Sequence, residues 1–568
     1  MTKAREPLPL AAVYFIQPTT TSVTQLLEDF IDVPLYPSVH IFFSSKAPSA
    51  VINKLKSCEV LLGVLKTLKE CNVEFLTVDS RTVVTDNPHA PMLLMGDQAD
   101  RAAQEGDQEL DTIASRLTTL LSTLSEFPVV RFKKGRPVGS RDPPGANARS
   151  SLTKRLAQKV LERADAMQKA GQLPAKESCD LLILDRSYDS VAPVIHEWTY
   201  ECMVHDLLEL EGNTFRYSVE STQGKTDEKE VLLDEGDNLW SELRHTFIAE
   251  VYSSLADRFK EFQSKNKAAK LGGAGLKGEM SNSSIRQLIV ALPQFREVLG
   301  KLSLHIQISS DLRSVTNEHI LTDVGELEQD LVLGDKHSKD LITFLQENQA
   351  NMDRLDKVRL FMCYCATHPE KLDTVKLTQW QKLAGLRKED MTAVCSLALL
   401  GVSVFKQPDI SEKSGFFNKK KEKPEATRRK KPEDGGYALF RFDPLLKDIV
   451  SDLGAHRLPE DEFPYLRAPS SGVASDSAST AQSARTGGRQ GLPWAKRDGA
   501  NGATRGPAAR RLIVFVIGGV VRSEMRVAHE LSKSMGRDII LASTSVETPR
   551  TFIDALYQMN STGSDFGA

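Results

Sequence analysis

The sequence predicts an α/β protein with a large helical insertion, and three observations predict it. Leu181–Leu184 is an apolar run without a polar break, ended by Asp185-Arg186 and followed by an apolar helical segment. That is the pattern of a strand buried on both faces feeding a helix. Residues 11–133 alternate apolar, aromatic-rich runs with stretches at helical spacing, which implies a parallel sheet. A second apolar strand, Arg511–Ile517, comes only after a long helical stretch. The economical arrangement is one α/β domain interrupted by a helical one.

From the start of the chain, Ala11–Ile16 and Val39–Phe43 read as strands, with a helix over Ser22–Phe30 between them. Pro48–Glu70 reads as a second helix, Val73–Leu76 as a third strand and Asp111–Leu124 as another amphipathic helix. Arg131–Arg136 (RFKKGR) is a basic cluster, read first as a solvated loop and second as a lipid or phosphate contact. Pro137–Ala148 reads as a linker and Ser151–Lys169 as a helix. After the strand at Leu181, Pro193 suits a helix start, and Val194, Trp198, Met203, Leu207 and Leu208 spread an apolar surface behind it.

Asn238–Phe262 reads as one helix. Ile285, Leu288, Leu292, Phe295, Leu299, Leu302 and Ile306 are spaced alternately by three and four, a heptad seam. The rhythm resumes at Ile320, Val324, Leu327 and Leu331, so the two runs read as a helical hairpin, with a bend at Pro293. Such a seam either packs its own domain or offers a platform for a partner's helix. Further helices are expected over Ser338–Glu347, Asp353–Cys365, Leu377–Leu386 and Asp390–Leu400, stopped by Gly401. The basic run Asn418–Lys431 and the Ser/Gly-rich Ala468–Ala509 read as disordered. Tyr437–Leu453 is expected to close the helical domain, Asp538–Ala542 to add a strand, and Thr548-Pro549 to open a last helix.

The totals narrow the function. The chain has 568 residues, 40% hydrophobic and 26% charged, with a net charge of −3. No global field draws it to nucleic acid or to a membrane. The longest apolar run, Leu512–Val521, is far short of the roughly 20 residues that span a bilayer. Seven cysteines without a CxxC pair favour reduced thiols and the cytosol. Cys363 and Cys365 are read as packing rather than metal ligands. Enzyme readings find little. Asp185 ends a strand as a phosphotransfer nucleophile would, but Ser187 stands where a second Asp is needed, so Asp185 is expected to cap the turn or to pair with a basic neighbour. Gly518-Gly519 lacks a dinucleotide fingerprint or P-loop lysine, and His196 and His205 lack zinc spacing. No G-x-S-x-G elbow is found. No catalytic, cofactor or metal residue is assigned. The alternative kept open is an α/β hydrolase-like enzyme with a helical lid.

The segments LLILDRSYDSVAPVIHEWTYECMVHDLL, REPLPLAAVYFIQPT, VLLDEGDNLWSELRHTFIAEV, ELEQDLVLG, DKVRLFMCY and RRLIVFVIGGVVRSEMRVAHEL stand in one order along the chain. In that order they resemble the SM (Sec/Munc) proteins, syntaxin-binding regulators of SNARE-driven vesicle fusion, and most of all the exocytic plasma-membrane branch. The resemblance implies an arch of two parallel-sheet α/β domains and a helical domain inserted in the second. The boundaries expected are 1–133 for the first domain, 134–240 with 467–568 for the second, and 241–466 for the helical domain. The hairpin spans 284–333, and 410–435 and 468–509 are loops. The family has a further strand, helix and strand ahead of its EPLP motif, so an incomplete and weakened first domain is expected.

The resemblance also implies a function without chemistry: gripping a syntaxin-type SNARE in a cleft and templating assembly with the vesicle SNARE. It implies a monomer that needs no cofactor and binds no nucleic acid. It would lie in the cytoplasm, attached to plasma membrane and vesicles through SNAREs. Arg5 and Glu6 match the family's cleft motif, and Leu302, Ile306, Leu327 and Leu331 are the hairpin residues expected to meet SNARE helices. At the family's syntaxin N-peptide pocket, Pro91 and Ser115 replace a Phe and a Glu, while Ile113 keeps an apolar position. That pocket is expected to be weak.

Overall fold

Two parallel sheets carry the α/β part of the chain. The computed structural model describes residues 6–71, 73–139, 142–220, 226–265, 282–368, 373–405, 437–469 and 510–563. In the first sheet, β1 (Ala11–Ile16) is followed by α1 (Thr20–Leu27), β2 (Ser38–Phe43), α2 (Ser49–Lys56), α3 (Glu59–Val64) and β3 (Leu65–Glu70). The order is β1-β2-β3, all parallel. Alternation along β2 turns Val39, Ile41 and Phe43 toward one core with Val23, Leu26, Phe30, Val51, Leu55 and Leu61 from the helices. On β1, Val13 and Phe15 are 66% and 60% exposed, so the sheet's other face is open there. The single helix expected over Pro48–Glu70 is thus two short helices and a strand. Leu65 and Leu68 continue a helical spacing, but pairing with β2 overrides it.

The second sheet gathers strands from three parts of the chain. In sequence they are β4 (Leu76–Thr77), β5 (Thr82–Val84), then α4 (Ala90–Met95), α5 (Ala103–Leu124), β6 (Pro128–Phe132), α6 (Ala146–Lys169) and β7 (Cys179–Asp185). Every residue of β7 is buried. After α7 (Tyr200–Leu207) comes an antiparallel meander, β8 (Leu210–Glu211), β9 (Thr214–Glu220) and β10 (Thr226–Leu232).

The helical stretch runs α8 (Asn238–Leu243), α9 (Ile248–Lys265), α10 (Asn282–Glu318), α11 (Leu321–Leu333), α12 (Ser338–Asn348), α13 (Arg354–Thr367), α14 (Thr374–Ala384) and α15 (Lys388–Cys395). The chain then returns through α16 (Leu445–Gly454), β11 (Arg511–Ile517), β12 (Val520–Val521), α17 (Arg522–Met535), β13 (Ile539–Ser543), β14 (Val546–Glu547) and α18 (Pro549–Met559). The sheet order is β4-β5-β13-β11-β7-β6, parallel except for β4.

This topology moves the expected boundary at residue 133. β5 and β6 belong to the second sheet, and Leu110, Ile113 and Leu117 of α5 share a core with Leu181 and Ile183. The break between α/β units falls near residue 75. The far end of the helical domain shifts too. Leu446, Val450 and Leu453 of α16 pack on Leu182, Leu184 and Val514, so α16 covers the sheet rather than closing the helical domain. The basic cluster is not simply a solvated loop. Arg131 and Phe132 end β6 and are buried, and Arg131 donates to the carbonyls of Phe463 at 2.8 Å and Leu458 at 2.9 Å. Most of 410–435 and 468–509 lies outside the described residues. No described helix is long and apolar enough to cross a membrane.

Candidate functional site

The stretch from Asp185 to Asp206 is where the second sheet meets the helical insertion. Its polar side chains tie it to three helices, α17, α11 and α13. Arg186, at the end of β7, pairs with Glu524 of α17 at 2.7 Å, with both side chains essentially inaccessible. It also donates to the Gly519 carbonyl at 3.2 Å. Tyr188 donates to Glu524 as well. His196 Nδ1 lies 2.9 Å from Glu328 of α11, and its Nε2 lies 3.4 Å from Asp356 of α13. Asp206 accepts two bonds of 2.9 Å from Arg359, whose Nε donates to the Val194 carbonyl at 2.7 Å. Glu197 meets Arg526 at 3.2 Å, and Glu201 meets Arg522 at 3.0 Å.

Burial would neutralise isolated charges here, so each is held by a partner. Burial and Arg359 push His196 down, but Glu328 and Asp356 outweigh them and raise it to about 9. Glu201 is raised by burial, yet His245, Arg522 and Arg244 bring it to about 2. Asp185 accepts from the Ser187 N–H at 2.9 Å, the expected turn cap. Among the described residues Asp79, Glu235 and His529 converge as metal ligands might. Arg244 already fills that space, 2.9 Å from Glu235, 3.4 Å from Asp79 and 3.0 Å from His529 Nε2. None of these groups forms a nucleophile with a general base. The arrangement is a clamp between layers.

The clamp explains why the helix expected over Asn238–Phe262 breaks. At Arg244–Phe247 the carbonyls of Arg244 and Thr246 turn to accept from Glu201 and Tyr200, the first turn of α7, at 2.8 and 3.1 Å. Gly325 of α11 is a second point of close approach. A Cβ there would stand 2.6 Å from the buried Trp198 ring.

The hairpin is α10 and α11, reversed at Ile320 with φ 48°. Ile285, Leu288, Leu292 and Phe295 lie where side chains are outside the described set. Beyond them the buried stripe of α10 is Leu302, Leu304, His305, Ile308, Ser309 and Leu312, while Ile306 is 36% exposed. An apolar count chooses Ile306 and passes over its neighbour. His305 is buried because Tyr200 bonds it at 2.9 Å and Asp237 at 3.2 Å. Leu327 and Leu331 are core residues packed with Val358 and Phe361. Thus Leu302, Leu327 and Leu331 hold the hairpin in place here, and Ile306 alone of the four hairpin candidates faces outward. An open groove of about 670 Å³ lies between α8, α9 and α10, lined by Leu239, Phe262, Val298 and Leu302 with a charged rim.

The other candidates do not assemble. Arg5 lies outside the described residues, and Glu6 is exposed at the first described position. Pro91 and Ile113 are buried, Ile113 completely, and Ser115 is half-buried. Pro91 and Ile113 are packing positions, while Ser115 keeps part of its surface open. The clamp residues were missed individually. Their only signal is polar and charged residues, irregularly spaced, that interrupt an apolar stretch.

A family model described as the Sec1 family matches residues 1–555. The chain belongs to the Sec1 family. Among curated members of this kind, the SNARE-interacting protein KEULE of Arabidopsis thaliana is 36% identical over 583 residues, covering 98% of this chain and 86% of that protein. Protein transport Sec1b of Arabidopsis thaliana is 36% identical over 581 residues, covering 99% and 87%. Solved structures of the family share the fold. The Unc18–syntaxin 1 complex from Monosiga brevicollis aligns with a TM-score of 0.73 at 24% identity, covering 98% of this chain and 90% of that one. The SM protein Vps45 in complex with the Qa SNARE Tlg2 aligns with a TM-score of 0.69 at 20% identity, covering 100% and 89%.

Proposed function

We propose that this Sec1-family chain is a non-enzymatic regulator of vesicle fusion in exocytosis. It binds a syntaxin-type SNARE and stabilises one of its conformers during assembly with the vesicle SNARE. The observation that carries this reading is full-length similarity to a relative named for SNARE interaction. A scaffold of this kind acts by binding two partner states unequally, which shifts their populations. The polar clamp suits that task, because a surface that templates another helix must itself hold still. Nothing in the comparisons favours the hydrolase alternative, and Asp185 is occupied as a turn cap.

The docking surface in this reading is the groove of Leu239, Phe262, Val298 and Leu302, continued by the exposed Ile306. Glu6 and Arg5 are the proposed contacts on the first domain. The protein would work on the cytosolic face of the plasma membrane and of secretory vesicles, held there by its partner. Calorimetric titration with a syntaxin cytoplasmic domain tests the proposal. Replacing Val298 and Ile306 together by Glu should weaken binding by roughly tenfold or more, with an unchanged melting temperature. Failure of the wild-type chain to bind any syntaxin would overturn the function. Unaltered binding by the double variant would move the surface elsewhere.

A further inference from the structure

A cavity of about 190 Å³ opens beside the carboxyl ends of β6 and β7. Lys133, Lys134, Arg136 and Arg149 line it, against the carboxylates Asp142 and Asp185. Asp142 is already engaged: it pairs with Arg136 and accepts from the Gly139 N–H at 2.7 Å. Asp185 accepts from Ser187, as above. Lys133 donates to the Ser187 hydroxyl at 2.8 Å. Arg149 donates only to carbonyls, those of Pro144 at 2.9 Å, Met95 at 3.1 Å and Pro143 at 3.4 Å. Among the described residues neither Lys133 nor Arg149 forms an ion pair.

Burial pushes Lys133 below the usual lysine range, with Asp185 opposing it, and brings Arg149 down to about 10. Such cations are under-neutralised, and an anion between them would relieve the cost of their burial. The walls are fixed. A Cβ on Gly135 would fall 1.9 Å from the Ser150 carbonyl oxygen, so the basic loop lies directly on the first turns of α6. The far wall is Leu399, Leu400 and Gly401, from the end of the helical insertion. The crevice beyond the carboxyl ends of parallel strands is where open α/β sheets bind ligands.

We infer that this cavity binds a small soluble phosphate-bearing anion of about diphosphate size. Its volume is below the roughly 300 Å³ at which drug-sized pockets begin, which matches a headgroup-sized ligand. Bound there, the anion joins the sheet to the insertion through a site that shares no lining residue with the partner groove.

The test is calorimetric titration of the full chain with sodium pyrophosphate at constant ionic strength. Wild type should bind, and Lys133→Gln should weaken binding roughly 10- to 100-fold, the loss expected for one charge-assisted hydrogen bond. Lys133→Gln should melt no lower than wild type without ligand, because it removes an under-neutralised charge. Arg136→Gln, at the exposed rim, should also weaken binding and keeps the test sound if the first variant folds poorly. Lys260→Gln, on an exposed face of α9 outside the cavity lining, should bind as wild type does. Absence of binding heat, or wild-type affinity in both cavity variants, would overturn the site. So would attachment to anionic vesicles through these residues that pyrophosphate does not compete away, which would make the site a membrane contact.

Discussion

The two parallel sheets are built from the same strand–helix alternation but are covered differently. The second sheet is sandwiched: β7 and β11 lie between helices on both faces, with Leu181 and Ile183 in one core and Leu182 and Leu184 in the other. The first sheet has one core, and Val13 and Phe15 of its edge strand face outward. A strand pattern therefore says where a sheet forms, whereas stability depends on how many faces find a cover. The second sheet also holds the buried ion pairs that bind it to the insertion, and the first has no comparable clamp among the described residues.

The largest expected effect comes from breaking the clamp inside the better-covered sheet. Glu524→Gln leaves Arg186 buried without its counter-charge and should cost about 3–5 kcal/mol, read by chemical denaturation. Next, Phe515→Ala in β11 removes a fully buried ring and should cost about 3–5 kcal/mol, whereas Phe15→Ala in β1 should change stability by less than about 0.5 kcal/mol. Equal losses would mean the two sheets are covered alike. The third effect is a pH dependence. His196 is raised from 6.5 to about 9 in the folded protein, so its protonated form is the stabilising one. That contribution is complete below about pH 6.5 and disappears as pH rises through about 9. Denaturation midpoints should fall across this window, and His196→Gln should flatten the fall. A midpoint that rises with pH, or an unchanged slope in the variant, would contradict the clamp.

Much of this was legible in the residues. Leu181–Leu184 and Arg511–Ile517 announce buried strands because both faces of each need apolar side chains. Leu65–Glu70 does not announce a strand, since its spacing equally suits a helix and only the neighbouring β2 decides. The boundary near residue 75 was hidden because Thr82–Val84 is too short to declare which sheet it joins. On the hairpin, the hydrophobic rhythm found the right helices, but the buried stripe takes in His305 and leaves Ile306 exposed. A histidine becomes a core residue only when Tyr200 and Asp237, remote in sequence, supply its hydrogen bonds. The partner surface was least legible, because a side chain that packs its own domain and one that awaits a partner look the same in a string of letters.

The pairing of Arg186 with Glu524 joins positions 338 residues apart. At synthesis rates of roughly 5–20 residues per second, the ribosome needs on the order of 20 to 70 seconds to deliver the second after the first. Through that interval the nascent chain holds an unpaired guanidinium and an incomplete sheet edge, both open to strangers. Soluble yield should therefore rise when holdase capacity in the host is raised or when this interval is shortened.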